Sequence, residues 1–238
     1  PKSFPAKVTL LMKRRFELGL PGFIFLPCEL IDRNGDNLKK CILQYADLWN
    51  LGEEFKNWVG QDNVFTNTLV DRINTGYPRG EDLGLGYEDN LVNTSEFFHL
   101  WVIEAPAEIA SEFPADKAGL NVLFVPSEEP YHERKVTLLN GPHTVLSPVA
   151  YLSGVNIVRD ACQHPVIGKY IHKVMYEELM ETLNLPKEEL QQFAGDVLER
   201  FVNPFVDHQV TSIMLNSFPK YETRDLPGLK TYLQRKGE

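Results

Sequence analysis

Three side chains able to take part in acid/base chemistry lie close together in the segment 134–144. Asn140 follows Lys135 by five residues and His143 follows it by eight, in otherwise mostly apolar sequence. On an α-helix, at about 100° per residue, Asn140 and His143 lie about 60° apart, and Lys135 lies within about 140° of both. We therefore expect the three polar groups to converge on one small volume.

These residue types suit metal-free hydride transfer at a carbinol or ketone carbon. A lysine that loses hydration in a pocket has its pKa lowered, because burial disfavours the charged form, and it then exchanges protons near neutral pH. Lys135 is therefore a candidate general acid/base. Asn140 is a candidate donor to an oxygen that gains negative charge, and His143 is a candidate to orient the lysine or a substrate hydroxyl.

Ordinary structural roles also account for each of these residues taken singly. Lys135 fits a solvated helix-face lysine, Asn140 fits a turn or cap residue before Gly141, and His143 fits a partly buried histidine with its hydrogen bonds satisfied. Pro142 adds a predicted kink, because a proline inside a helix removes one backbone hydrogen bond. Spacing alone does not decide between the two interpretations.

Composition limits the class of protein. The 238 residues are 43% hydrophobic and 24% charged, with a net charge of −9, which argues against a nucleic-acid partner and against an anionic membrane surface. Cys28, Cys41 and Cys162 are widely spaced, so the sequence predicts neither a disulfide framework nor a zinc site and fits a reducing cytoplasm. We find no apolar run long enough to span a bilayer and no signal-like start.

The hydrophobic pattern predicts an α/β chain that becomes mostly helical after about Pro126. The strand-like stretches are 22–28, 64–70, 97–103 and 122–125. The helical patterns are 8–16, 34–49, 166–175, 190–201, 205–215 and 226–233. A polar, glycine-rich segment at 75–93 is predicted to be a loop or hairpin excursion, and 216–224 a link between helices. We therefore predict domains at 1–126 and 127–238.

The sequence also resembles a known family. Lys135, Asn140 and His143 match, at the same spacing, the Lys-x4-Asn-x2-His motif of the polyol-specific long-chain dehydrogenase/reductase family, which includes the mannitol dehydrogenases. The phrases KVTLLNGPHTVLSPVAYLSG, PCELIDRNGDNLK, VDRINTGYPRG and ERFVNPFVDHQVTSIMLNS resemble one branch of it, the tagaturonate reductases or altronate oxidoreductases. The resemblance covers nearly the whole chain.

The resemblance implies an NAD-dependent enzyme that interconverts D-tagaturonate and D-altronate in hexuronate catabolism. Lys135 is then the catalytic acid/base, Asn140 polarises the reacting oxygen, and His143 aids substrate binding and lysine positioning. Asp71 falls near the same site in the family, where it positions substrate or nicotinamide ribose; pairing with Arg72 at a strand end explains it nearly as well.

Two departures from the family pattern bear on the site. Mannitol dehydrogenases supply a second polarising asparagine from a Cys-Asp-Asn segment, but Leu30 stands at that position here, and Glu29 or Asn34 is left as a substitute. Asn34 is also explained as a turn former. Ser212 falls about where the polyol enzymes carry an arginine, and a uronate carboxylate needs a cation. Candidate cations for it are Arg134, Lys169, Lys173, Lys220 and Arg224.

The chain lacks the glycine-rich turn and following acidic residue expected of a dinucleotide site, since Gly84-Leu85-Gly86 has neither a third glycine nor a preceding strand. We therefore expect a fragment: the distal part of a Rossmann-like domain and a mostly α-helical C-terminal domain, binding NAD poorly or not at all by itself. The expected substrate is a small sugar acid, with no metal; the oligomeric state stays open. Fructuronate reductase, mannitol dehydrogenase and a non-catalytic interaction module remain as alternatives.

Overall fold

A computed structural model describes residues 1–106 and 108–237 of the chain. The strands are β1 (Ile24–Phe25), β2 (Val64–Phe65), β3 (Asn67–Asp71), β4 (Asn74–Gly76), β5 (Thr94–Ser95), β6 (Leu100–Glu104) and β7 (Val122–Val125). The helices are α1 (Phe4–Glu17), α2 (Asn34–Leu48), α3 (Glu53–Gln61), α4 (Ile109–Glu112), α5 (Glu129–Lys135), α6 (Gly141–Leu152), α7 (Val158–Gln163), α8 (Ile167–Lys173), α9 (Lys187–Phe201), α10 (Val210–Met214), α11 (Ser217–Arg224) and α12 (Leu226–Lys236). Two π-helical segments, π1 (Val136–Asn140) and π2 (Val174–Leu179), and short 3₁₀ turns at Asp116–Ala118 and Met180–Thr182 complete the elements.

The chain divides into two compact units. The first contains residues 1–70 and 100–128, and the second contains 71–99 and 129–238. The last boundary between the units, after Glu128, lies two residues beyond the predicted one near Pro126. The segment 71–99, which the sequence analysis placed in the first domain, belongs to the second unit.

The first unit combines short parallel strands with amphipathic helices. Strand β6 lies between β3 and β7 in a three-stranded sheet and runs parallel to β7, while β1 pairs in parallel with β2. The helices α1, α2 and α3 pack around a core that includes Met12, Ile42, Phe55 and Val59, all essentially inaccessible to solvent. The predicted alternation of helices and strands is therefore present.

Two strands are shorter than the sequence predicts. The apolar run 22–28 was expected to be one buried strand, but only Ile24–Phe25 is extended in a ladder, and Ile24 is 40% exposed. Its partner β2 is only two residues long, and among residues 1–106 and 108–237 no other strand pairs with the rest of the run. The run 97–103 likewise becomes a strand only at Leu100, and Phe97 is exposed.

The second unit is mostly helical, with the antiparallel hairpin pair β4 and β5 at its start. This hairpin encloses the polar segment 77–93, so the predicted hairpin excursion is correct. The apolar stripes of the helices bury Leu138, Leu146, Ile171, Met175 and Val197 in one core. None of the helices in the two described ranges is long and apolar enough to cross a bilayer.

The prediction of a non-helical link at 216–224 is wrong. Asn216 adopts a left-handed conformation with φ 57° and is followed at once by α11. Pro219 lies in the first turn of this helix, where backbone N–H groups have no intrahelical acceptor, so a proline costs no hydrogen bond there. The predicted helix 205–215 is in turn reduced to α10.

Gly35 permits the close approach of α2 to the backbone between β2 and β3. A Cβ at Gly35 would lie 2.0 Å from the carbonyl oxygen of Thr66, which is backbone and cannot rotate away. We expect Gly35→Ala to lower the free energy of unfolding by about 1–3 kcal/mol or more, measured by urea denaturation.

Gly60 provides the matched control for this substitution. It lies in α3, and a Cβ there meets nothing within 4 Å. Gly60→Ala should therefore raise stability by about 0.5–1 kcal/mol, through lower backbone entropy of the unfolded chain. Equal effects of the two substitutions would contradict the packing argument.

Candidate active site

The candidate catalytic residues lie on one continuous helical stretch, in which π1 separates α5 from α6. Lys135 is the last residue of α5, Asn140 is the last residue of π1, and His143 is the third residue of α6. Hydrogen bonds in a π-helix join residues five apart, as Gly141 N–H shows by donating to Val136 O. Residues five apart thus lie about one turn apart, which puts Lys135 and Asn140 on the same side of the helix.

This π segment changes the geometry that was expected for an α-helix. At α-helical spacing Lys135 would lie about 140° from Asn140. The wider turn removes most of that angular separation. Asn140 and His143 lie three residues apart, across the junction between π1 and α6. The three side chains therefore share one face of the helix more closely than the sequence analysis predicted.

The local sequence explains why the helix is distorted here. Pro142 has no N–H to donate to the carbonyl four residues earlier, so regular α-helical bonding cannot continue across this point. Side-chain hydroxyls bond the carbonyls that follow: Thr144 Oγ1 donates to Asn140 O at 2.9 Å and Ser147 Oγ donates to His143 O at 2.6 Å. The kink predicted from Pro142 is thus a π turn.

Lys135 is buried, with 7% of its surface exposed. Burial lowers its pKa from the usual lysine value; the Asp71 carboxylate opposes this, while the Arg200 and Arg224 guanidinium groups act in the same direction as burial. A lysine in this environment gives up its proton more readily than one in water. This is the property required of a lysine general acid/base.

His143 is a buried, neutral imidazole. Burial is the main cause that holds its pKa well below the usual histidine range, and His208, Arg200, Arg224 and Lys135 add to the effect. Its ring stacks on Phe201 at 4.1 Å between centroids and meets the His208 ring edge-on at 4.9 Å. Among the described residues, His143 Nε2 has no hydrogen-bond partner.

Asn140 is half-buried, and its backbone rather than its side chain carries the contacts in the structure. Its carbonyl accepts from Thr144 Oγ1, and this is the side-chain hydrogen bond that the structure gives to Asn140 in the described ranges. The carboxamide and His143 Nε2 are thus two polar groups that a ligand oxygen can satisfy. A buried polar atom without a partner costs roughly 1–3 kcal/mol, so a bound hydroxyl or carbonyl at Nε2 would be favourable.

Asp71 belongs to a buried ion cluster with Arg200 and Glu96. Arg200 Nη2 donates to Asp71 Oδ1 and to Glu96 Oε1, each at 2.7 Å, and Nη1 donates to Asp71 Oδ2 at 3.1 Å. These hydrogen bonds outweigh the effect of burial and raise the pKa of Arg200. The interpretation of Asp71 as a partner of Arg72 is therefore wrong: Arg72 Nε donates to Glu96 O at 3.0 Å.

The cluster joins three parts of the second unit. Asp71 ends β3, Glu96 follows β5, and Arg200 lies in the last turn of α9 with its Cζ 4.0 Å from the Phe98 ring centroid. Each of the three charged side chains is at most 9% exposed.

Sequence analysis missed Arg200 and Glu96. A signal for Arg200 was present, because it follows Val197 by three residues on the apolar face of α9, where a charged residue is unusual. Glu96 carried no comparable signal, since its partners are distant in sequence.

Glu29 and Asn34, the proposed substitutes for the missing second asparagine, lie in the first unit. Asn34 is buried at the first residue of α2, and its Nδ2 donates to Thr68 O at 3.0 Å and to Pro27 O at 3.2 Å, while Thr68 N–H donates to its Oδ1 at 3.0 Å. Its carboxamide therefore fixes the loop before α2 to β3. Glu29 and Leu30 are exposed, and Asn34 Nδ2 also donates to Glu29 O.

The buried cluster should be energetically important. Arg200→Met leaves two buried carboxylates without their cation, and we expect it to lower the free energy of unfolding by about 3–5 kcal/mol. Arg200→Lys keeps the charge but loses the bidentate hydrogen bonds. Its free energy of unfolding should lie between those of the wild-type protein and Arg200→Met. Urea denaturation of the chain measures all three proteins.

Arg14→Met is the control for this series. The Arg14 side chain is 67% exposed and lies 3.5 Å from Glu17, so its removal should change stability by less than about 0.5 kcal/mol. An effect of Arg200→Met as small as that of the control would show that the cluster contributes nothing to the fold.

Two family models match consecutive parts of the chain. The mannitol dehydrogenase Rossmann domain matches residues 1–117, and the mannitol dehydrogenase C-terminal domain matches residues 128–238. Together they account for nearly all of the sequence.

Curated relatives are named altronate oxidoreductase. Those of Bacteroides thetaiotaomicron and Phocaeicola vulgatus are 71% and 70% identical, over 99% of this chain and 51% of each relative. That of Yersinia enterocolitica is 47% identical over 100% of this chain and 51% of its own length. The chain spans about half the length of the curated relatives it matches.

Solved structures give the same fold. A Pseudomonas fluorescens mannitol 2-dehydrogenase, in a ternary complex with NAD and D-mannitol, matches with a TM-score of 0.79 and 25% identity over 100% of this chain and 48% of that chain. A substrate-free D-sorbitol dehydrogenase matches with a TM-score of 0.81 at 24% identity, covering 99% and 49%, and shows the fold alone. The predicted fold class and the resemblance noted from the motif are thereby confirmed, and the chain belongs to the mannitol dehydrogenase family.

Proposed function

We propose that this chain carries the acid/base site of an NAD-dependent oxidoreductase that interconverts D-tagaturonate and D-altronate in hexuronate catabolism. The observation that carries the proposal is the buried Lys135, with its lowered pKa, on the same helix face as the carboxamide of Asn140 and the unpartnered Nε2 of His143. The choice of substrate is supported by the relatives named altronate oxidoreductase. A cytoplasmic location and the absence of a metal remain predictions.

The described residues do not form a cradle for the pyrophosphate of a dinucleotide. Gly84 and Gly86 lie in the connection between β4 and β5, not at a turn from a strand into a helix, and a Cβ at either would meet nothing within 4 Å. We therefore assign the dinucleotide fingerprint to sequence outside these 238 residues, in agreement with the half-length coverage of the relatives. Weak or absent NAD binding by this chain alone stays a prediction.

The chain's own residues account for the proton and for the reacting oxygen. In the reduction direction, Lys135 as an ammonium delivers a proton to the oxygen of the carbonyl group, and in the oxidation direction its amine accepts that proton. Asn140 donates a hydrogen bond that stabilises the negative charge on this oxygen. The neutral His143 binds a neighbouring hydroxyl through Nε2, because this nitrogen has no hydrogen-bond partner among the described residues and a hydroxyl can both donate and accept. Hydride transfer belongs to the cofactor.

Replacing Lys135 tests the acid/base assignment. In the complete enzyme, Lys135→Ala should lower turnover by roughly 10²–10⁴-fold with the fold intact, because the proton donor is lost. NADH consumption with tagaturonate measures this, and circular dichroism checks the fold. Lys40→Ala, at an exposed lysine of α2, should keep wild-type turnover.

The pH profile separates this role from a structural one. Reduction needs the ammonium form, so the wild-type rate should fall as the pH rises through the lowered pKa of Lys135, and the oxidation rate should rise through the same range. The rates of the Lys135→Ala enzyme should show neither of these two changes with pH. Near-wild-type turnover in that variant would refute the catalytic role of Lys135. The remaining alternative would be that this chain is an interaction module and takes no part in the chemistry.

A substrate panel separates the related oxidoreductases. We expect the complete enzyme to reduce tagaturonate with a higher kcat/KM than fructuronate or fructose, measured side by side with NADH. A preference for fructuronate would make the chain part of a fructuronate reductase, and a preference for fructose would make it part of a mannitol dehydrogenase.

A further inference from the structure

Arg224 places a cation beside the candidate catalytic helix. It is the last residue of α11 and is half-buried, and its Nη1 donates to Thr144 Oγ1 at 3.2 Å. Thr144 directly follows His143 in α6. Arg224 is also close enough to Lys135 and to His143 for its charge to lower the pKa of both.

The charge of Arg200 is neutralised by two hydrogen-bonded carboxylates, whereas Arg224 differs in this respect. Within the described part of the chain, no carboxylate accepts a hydrogen bond from Arg224, and both oxygens of the adjacent Asp225 lack any hydrogen-bond partner. Burial raises the pKa of Asp225 to about 7, so near neutral pH its negative charge is only partly present. Burial likewise lowers the pKa of Arg224, and the Asp225 carboxylate opposes this effect.

The other basic residues considered for a substrate carboxylate are bound elsewhere or exposed. Arg134 hydrogen-bonds Glu189 and lies with its Cζ 4.4 Å from the Phe193 ring centroid. Lys220 Nζ donates to Ile213 O at 2.7 Å. Lys169 and Lys173 are exposed on α8.

A planar guanidinium suits a carboxylate better than any other cationic side chain, because two parallel N–H groups match its two oxygens. Arg224 has five such N–H donors, of which one is engaged by Thr144. The hydrogen bond to Thr144 also fixes the guanidinium relative to the helix that carries Lys135, Asn140 and His143.

We propose that Arg224 binds the terminal carboxylate of the substrate and thereby makes the site selective for a uronate over a neutral sugar. This inference rests on the proposed function, because it assumes that the substrate is an acid. Lys135 and Asn140 act at the reacting oxygen, while Arg224 holds the charged end of the same molecule. The residue therefore determines specificity and neither donates nor accepts the transferred proton.

The test compares two substrates in the complete enzyme and in its variants. One is tagaturonate, and the other is the ketohexose with a hydroxymethyl group in place of the carboxylate. Arg224→Met should raise KM for tagaturonate so that kcat/KM falls roughly 10- to 100-fold, as loss of a charge-assisted hydrogen bond predicts. The kcat/KM for the neutral ketose should stay within about threefold of wild type, since that substrate makes no ion pair with Arg224.

Two further variants keep the result interpretable. Arg224→Lys retains the charge and should recover part of the preference for the acid, which a purely structural role would not predict. Lys230→Met removes an exposed positive charge from α12 and should leave both kcat/KM values unchanged. Thermal unfolding of each variant checks that the fold is retained.

The outcomes distinguish the two proposals. Suppose that wild-type enzyme reduces tagaturonate. If Arg224→Met then lowers kcat/KM equally for both substrates, or leaves both values unchanged, the carboxylate assignment is wrong and the proposed function stands. If Arg224→Met does not fold, the ratio of the two kcat/KM values in Arg224→Lys decides, and a ratio equal to wild type overturns the assignment. If wild-type enzyme does not act on tagaturonate, both proposals fail.

Discussion

The buried bonding of Arg200 to Asp71 and Glu96 is the interaction on which the candidate site depends. It links the end of β3, the hairpin formed by β4 and β5, and the last turn of α9. The next residue along α9, Phe201, stacks on the imidazole of His143. A single helical turn thus fixes both the charge cluster and the histidine ring. The cluster also acts on Lys135, because Asp71 raises the pKa of this lysine while Arg200 lowers it.

The second constraint is the π turn, to which Pro142 and Gly141 contribute through the local sequence. Pro142 cannot donate, and Gly141 N–H bonds a carbonyl five residues back. Gly141 also leaves room for Asp225, since a Cβ there would lie 2.8 Å from Asp225 Oδ1. The segment that carries the polar side chains is therefore shaped by a proline and a glycine whose sequence positions are evident, although their structural effect is not.

Sequence predicted what depends on periodicity and missed what depends on distant partners. Apolar spacing correctly predicted α9 and α12. The residue types at 135, 140 and 143 made these residues candidates, but only the resemblance to a known family favoured a catalytic role over a structural one. The same reasoning treated Asn34 as a turn former, because its bonds to Pro27 and Thr68 are tertiary. It missed Arg200, whose partners Asp71 and Glu96 lie more than a hundred residues away. The helix α11 was missed, and the position of Pro219 within its first turn makes this proline compatible with helix.

The charges around Lys135 have a further consequence for catalysis. In the absence of a bound anion, burial and the neighbouring guanidinium groups lower the pKa of Lys135, and the Asp71 carboxylate opposes them. A substrate carboxylate bound at Arg224 would offset the charge of that arginine, and the pKa of Lys135 would rise in the complex. Binding of an acid would then hold Lys135 as the ammonium that reduction requires, whereas a neutral sugar would leave it readier to lose its proton. Recognition of the carboxylate and readiness of the proton donor would therefore be coupled through electrostatics.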